Sequence, residues 1–589
     1  MTTLQTKANA IRGDGLFRDQ PLAFESDRSC TRWSTSMMRR LTRRIVFFAV
    51  LASLLGFCLP QDRVGAREET VKPQSFPDLY EASIAELQAG LASGLFTSVD
   101  LVQAYFARIE EVNLQGPTLR AVIETNPSAL AQAAALDQER QLTGPRSPLH
   151  GIPIIVKDNI ATLHSEGMNT TAGSFALLGS VVPRDATVAA KLRAAGTIIL
   201  GKANLSEWAN FRGRVPSGFS GRGGQASSPY VPLGDPSGSS SGSGISSAIG
   251  LAAGALGSET DGSIVSPSQN NNLVGIKPTV GLTSRAGVVP ISEHQDTVGP
   301  MCRSVADAAT ILTIIAGRDP LDNFTLAQPT VVPDYTKALD KTALKGVRLG
   351  IPRGFSPGNQ NIIAAFNASV EIIRLLGATV IDPTDFPSLA EIRASRNETI
   401  VLDTDFKVDV NRYIADLVEV PTGVKNLADL IAFNSAHADQ ELVEPFWTDQ
   451  STFIASENTT VNQAYFDALA ADKDIGQTRG IDATLEMFNL DALLLPTSGA
   501  SGPAAIAGYP IVTVPLGFQP ANTTLSPAQP TRSMGPNQPF GISFMGTAFS
   551  EFKLISYAFA YEQATHNRLK QLAFPEAIPK TQLTDIVGK

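Results

Sequence analysis

The run Ile152-Pro153-Ile154-Ile155-Val156 ends abruptly on Lys157-Asp158-Asn159, and a short continuous apolar stretch bounded by polar residues reads as a buried strand. Whatever this chain folds into must carry a lysine to the end of that strand. Residues 149–156 form the strand, with others expected at 197–200, 347–351, 379–381 and 492–495, and helical patterns cover 186–195 and 362–376. Strands alternating with helices give an α/β fold. A chain of 589 residues, 43% hydrophobic and 17% charged, can bury a large core and is not disordered over most of its length. It shows no internal repeat and no linker at which to cut it.

Two Gly/Ser-rich segments accompany the lysine: Gly238-Ser239-Ser240-Ser241-Gly242-Ser243-Gly244, followed by a helix-like apolar stretch from 245 to 256, and Glu259-Thr260-Asp261-Gly262-Ser263. A serine hydroxyl is a weak nucleophile until a neighbouring base takes its proton, and the base must itself be unprotonated. Free lysine is neutral in roughly one molecule in 2500 at pH 7, so holding it neutral costs about 4.6 kcal/mol. Burial at the end of an apolar strand supplies such a shift. Glycines and serines let the backbone approach closely and aim several N–H groups at one point, as a developing oxyanion requires. The combination predicts nucleophilic catalysis by serine with a lysine base.

With Gly275-Ile276-Lys277-Pro278-Thr279 added to these motifs, the chain resembles the amidase signature family over residues 78–575. The resemblance implies a single large domain, 67–589, with a central mixed β-sheet covered by helices on both faces. It also implies a Ser-cisSer-Lys triad: Ser263 as nucleophile, Ser239 as the bridging serine on a cis peptide after Gly238, and Lys157 as base. The family's 24-residue spacing between the two serines is met here. The oxyanion hole would be the N–H groups of Thr260, Asp261, Gly262 and Ser263. Neither cofactor nor metal is implied.

Many members carry Asp-Thr-Gly-Gly-Ser-Ile-Arg where this chain has Glu259-Thr260-Asp261-Gly262-Ser263-Ile264-Val265. Val265 cannot pair with a substrate carboxylate as an arginine could, which argues against glutamine recognition. With Asn204-Leu205-Ser206-Glu207-Trp208-Ala209-Asn210-Phe211-Arg212 and Gly221-Arg222-Gly223-Gly224-Gln225, the variant resembles the peptide amidases, which act on C-terminal peptide amides. Trp208 and Arg222 are equally open to structural and substrate-binding roles. The expected partner is thus a peptide amide with uncharged side chains or another small-molecule amide. The alternatives are a broad small-amide or fatty-acid amide hydrolase, a glutamyl-tRNA amidotransferase-like subunit, and a catalytically silent amide-binding relative.

Other motifs compete and fail on context. Gly238-Ser239-Ser240-Ser241-Gly242 matches G-x-S-x-G, but the Pro/Gly-rich residues 232–237 before it make a poor strand for a nucleophile elbow at Ser240. Residues 196–203 nearly match a phosphate loop, yet their interior is an apolar strand and Ala203 lacks the metal-binding hydroxyl. Ser550-Glu551-Phe552-Lys553 fits S-x-x-K without its companion motifs. The five histidines show no metal-ligand spacing, and His294 reads as a loop residue.

Residues 1–66 hold ten Lys/Arg against five Asp/Glu, although the whole chain carries −9. Arg39, Arg40, Arg43 and Arg44 precede the apolar stretch 45–59, which has the form of a signal peptide and is short for a membrane span. Export through the secretory pathway is expected, and a retained stretch 45–59 would hold the chain to a membrane. Cys302 would then be the single remaining cysteine, and seven N-x-S/T sequons suit a secreted glycoprotein. The acidic remainder offers no basic stripe for nucleic acid.

Overall fold

Lys157 does close a buried strand. The structure, a computed structural model, describes residues 75–589, so the basic segment 1–66 and the stretch 45–59 lie outside the described residues. The strands are β1 (Val122–Thr125), β2 (Pro153–Lys157), β3 (Ile198–Ala203), β4 (Phe219–Ser220), β5 (Gly224–Gln225), β6 (Gly254–Glu259), β7 (Val274–Lys277), β8 (Thr297–Cys302), β9 (Arg348–Gly350), β10 (Thr379–Ile381), β11 (Ala492–Pro496), β12 (Ile511–Phe518) and β13 (Pro539–Met545). Eleven of them form one mixed sheet, ordered β1-β3-β2-β6-β8-β7-β12-β13-β11-β9-β10, while β4 and β5 make a separate ribbon.

The centre of this sheet positions the chemistry. β2 lies between β3 and β6, parallel to both. Parallel neighbours need crossovers; one includes the helix Thr187–Ala194 and the next the helix Ser241–Ala248. The carboxyl ends of β2 and β6 therefore lie side by side, where open α/β sheets place ligands. Every residue of β2, β3 and β6 is buried, which accounts for their apolar or small side chains. From β8 to β13 the sheet turns antiparallel, and it becomes parallel again at the β11-β9-β10 edge.

Two sequence expectations shift. Residues 149–152 form a turn, because Gly151 takes φ +77° and donates its amide to the Gly196 carbonyl (2.7 Å), so the strand begins only at Pro153. The stretch 245–256 is not one helix. The helix starts inside the Gly/Ser run, at Ser241, ends at Ala248, and gives way through Gly250 (φ +66°) to β6. Gly242 is required in its first turn: a Cβ there would sit 2.1 Å from the Ala121 carbonyl oxygen and 2.5 Å from the Asn204 nitrogen.

The C-terminal tail closes over the same region. Arg108, fully buried on the helix Ser98–Val112, donates from Nε to Gly250 O (2.7 Å), from Nη2 to Ile249 O (2.9 Å), and from Nη1 to Pro579 O (3.2 Å) and Thr581 O (2.6 Å).

Candidate active site

At the end of β2, Lys157 is fully buried, and its Nζ donates to Ser239 Oγ (2.7 Å), Ser258 Oγ (3.0 Å) and the Ser258 carbonyl (3.1 Å). Burial pulls its pKa from 10.5 down to about 7, against the opposing pull of Asp296 and Glu259. Near neutral pH about half of such amines are unprotonated. Asn159 Nδ2 donates to the same Ser258 hydroxyl (2.9 Å), fixing the lysine's second partner.

Ser239 is fully buried just before the Ser241–Ala248 helix. The Gly238–Ser239 peptide is cis, and the Ser239 carbonyl accepts the Ser206 amide (3.0 Å). Ser240, the elbow candidate, is occupied elsewhere: its hydroxyl donates to the Ser258 carbonyl (3.1 Å), accepts the Ser258 amide (3.3 Å) and is buried. It stitches the helix start to β6.

Ser263 lies in the turn between β6 and the helix Val265–Asn270. Its carbonyl accepts the Ser240 amide (3.2 Å), which brings the two serine segments together, and the residue keeps 8% of its surface exposed. Among the described residues its hydroxyl has no protein partner, and no hydrogen bond yet links it to Ser239. Glu259 shapes the turn by accepting the amides of Ile264 (2.6 Å) and Val265 (2.9 Å), and Gly262 supplies φ +82°. The amides of Thr260, Asp261, Gly262 and Ser263 are not taken up by hydrogen bonds among the described residues. The Thr260 hydroxyl instead donates to Asp296 Oδ1 (2.5 Å).

Sequence reasoning missed Ser258, Asp296 and Gln295. Ser258 immediately precedes the Glu259–Ser263 segment and had no role assigned, whereas Asp296 and Gln295 come from a loop that no short motif marks. Lys277, at the end of β7, is buried with Nζ on the Tyr509 carbonyl (2.8 Å) and its pKa is lowered to about 8 by burial, with Glu259 the first charge opposing this. Trp208 is a core residue, packed edge-on against Phe453 at 5.7 Å. Arg222 binds Glu124 (3.0 Å) and the Thr171 hydroxyl (3.1 Å). His294 pairs with Asp405 (2.8 Å). The Val265 side chain is fully buried, in a cluster with Leu495, Ala504 and Ile511.

These features place the chain in a class of enzyme, the amide hydrolases, once relatives are considered. The family model described as Amidase matches residues 100–555, and the chain belongs to that family. It is 43% identical over 495 residues to a probable amidase of Arabidopsis thaliana, covering 83% of this chain and 90% of that one. The structure of native peptide amidase from Stenotrophomonas maltophilia superposes with TM-score 0.74 at 41% identity, covering 85% of this chain and 99% of the other. An amidase family protein from Bacillus anthracis gives TM-score 0.75 at 33% identity, covering 85% and 93%.

Proposed function

We propose that this enzyme releases ammonia from C-terminal peptide amides through a Lys157–Ser239–Ser263 relay. The observation that carries the reading is the 2.7 Å contact between a buried Lys157, its pKa brought down to about 7, and Ser239. Neutral Lys157 takes the Ser239 proton as Ser239 takes that of Ser263, and Ser263 Oγ bonds to the carboxamide carbon. The oxygen of that carbon gains the negative charge and faces the free amides of the 260–263 turn. When the C–N bond breaks, the relay returns a proton to the nitrogen and ammonia departs, leaving an ester on Ser263. Water then gives up a proton to the relay and attacks the ester, freeing the acid and restoring the Ser263 hydroxyl.

The peptide-amide choice is supported by the likeness to peptide amidase. Asp261, exposed in the nucleophile turn, also disfavours a substrate carboxylate near the amide, so free glutamine is a poor substrate. Ammonia release from amidated peptides, short aliphatic amides, long-chain amides and glutamine tests the reading. An amidated peptide should gain about one dalton as NH₂ becomes OH. Turnover of glutamine with the peptide amide untouched would overturn it. Ser263→Ala should lose up to about 10⁶-fold in kcat and escape fluorophosphonate labelling. Labelling at Ser240 would contradict the assignment.

A further inference from the structure

Beside the nucleophile turn the structure gathers carboxylates that the relay does not use. Gln295, buried, spans the gap: its Nε2 lies 3.4 Å from the Thr260 carbonyl and 2.9 Å from Glu398 Oε1. Glu398 sits in the first turn of the helix Asn397–Asp416, which packs antiparallel on the helix Gln463–Lys473. Tyr465 donates to Asp405 Oδ1 (2.7 Å), and Tyr465 and Ala468 pack with Val401. One turn further along each helix, in opposite senses, are Asp472 and Glu398. Asp472 is only 4% exposed, and neither of its carboxylate oxygens has a partner among the described residues. A buried carboxylate without a partner is costly.

We propose that Asp261, Glu398 and Asp472 form a subsite for a cationic group on the substrate, a protonated amine or guanidinium a few atoms from the scissile carboxamide. The inference rests on Ser263 being the reacting centre. Among the described residues no lysine or arginine offsets Glu398 or Asp472, and the cation that acts on Asp261 is Lys277, itself buried on the Tyr509 carbonyl. Burial and mutual repulsion raise Glu398 to about 8, with Asp261 and Asp472 both adding to the effect, and burial raises Asp472 to about 7. A bound cation would reverse this repulsion and favour the ionised forms. Among the described residues no three Asp, Glu, His or Cys side chains are close enough to share a metal ion. The proposed occupant is therefore an organic cation.

The test measures binding, so that it stands apart from turnover. Affinities of full-length Ser263→Ala are compared for two matched pairs: Nα-acetyllysinamide against Nα-acetylnorleucinamide, and leucinamide against Nα-acetylleucinamide. The first pair isolates a side-chain cation and the second a free α-ammonium. The charged member of at least one pair should bind about tenfold more tightly, the equivalent of roughly 1.4 kcal/mol. For the lysinamide pair, whose side-chain ammonium stays charged, that preference should grow between pH 6 and 9 as the carboxyls ionise, whereas the leucinamide pair is compared at pH 7, below the loss of its α-ammonium proton; in either pair the preference should fall toward one in Glu398→Gln and in the isosteric Asp472→Asn. Equal affinities within both pairs, or a preference untouched by Glu398→Gln, would overturn the subsite. Failure of wild-type enzyme to hydrolyse any amide would instead overturn the proposed reaction, while the affinities alone decide for or against the subsite.

Discussion

As the proposed base, Lys157 can take a proton only when unprotonated, and the residues around it set the pH at which that happens. Its folded pKa is lowered to about 7, so kcat/KM should rise through pH 7 and fall about tenfold per unit on the acid side. Asp296 opposes this lowering. Asp296→Asn should therefore move the acid limb to lower pH, and an unchanged or raised midpoint in the pH-rate profile would contradict the assignment. Lys157→Arg should be as inactive as Lys157→Ala, because a guanidinium stays charged. The same buried lysine also makes stability pH-dependent. Between about 7 and its unfolded value near 10.5, the unfolded chain holds the extra proton, so this group's penalty on folding is full below 7 and fades as pH rises toward 10.5. That Lys157, Ser239 and Ser263 come into one neighbourhood was legible because each sits in a dense local motif. Gln295, Asp296 and Glu398 were not, since long-range packing alone brings them to the site.

The helix Ser241–Ala248 shows how composition misleads at the scale of an element. A Gly/Ser run usually signals a flexible connection, yet here it is the start of a helix buried along its whole length. The small residues are what let it pass between Ala121 and Asn204. Gly242→Ala should destabilise the fold by about 1–3 kcal/mol or prevent folding, whereas Gly358→Ala, where a Cβ meets nothing within 4 Å, should change stability by no more than about 0.5 kcal/mol. Urea unfolding of the two variants makes the comparison. The long apolar strands at the start of the sheet were readable from sequence. β6, β8, β12 and β13 were not, since Gly254, Gly257, Gly299, Pro300, Pro515 and Pro539 interrupt their patterns and pairing within the sheet decides in their favour.

Across the whole molecule, the alternation of strands and helices was enough for the α/β class, but not for strand order, which depends on contacts hundreds of residues apart. One such contact joins the chain's last residues to its centre. Arg108 gives its donors to carbonyls at 249–250 and to Pro579 and Thr581, and Gln582 accepts the Leu79 amide (2.9 Å). Removing residues 575–589 strips Ala577 and Leu583 from the core and leaves part of a buried guanidinium unpaired. Truncation after Phe574 should cost roughly 3 kcal/mol or more, read as a lower urea midpoint; an unchanged midpoint would show that the tail is dispensable.

Every residue from Ser239 to Thr260 is buried. A stretch with no surface has nowhere to bulge, so a residue gained or lost within it must displace one hydroxyl relative to the other. The stretch from Ser239 to Thr260 is thus a ruler of fixed length. In any related chain, a gap opened inside that stretch would break the proposed relay, whereas the same gap in an exposed loop marks only drift.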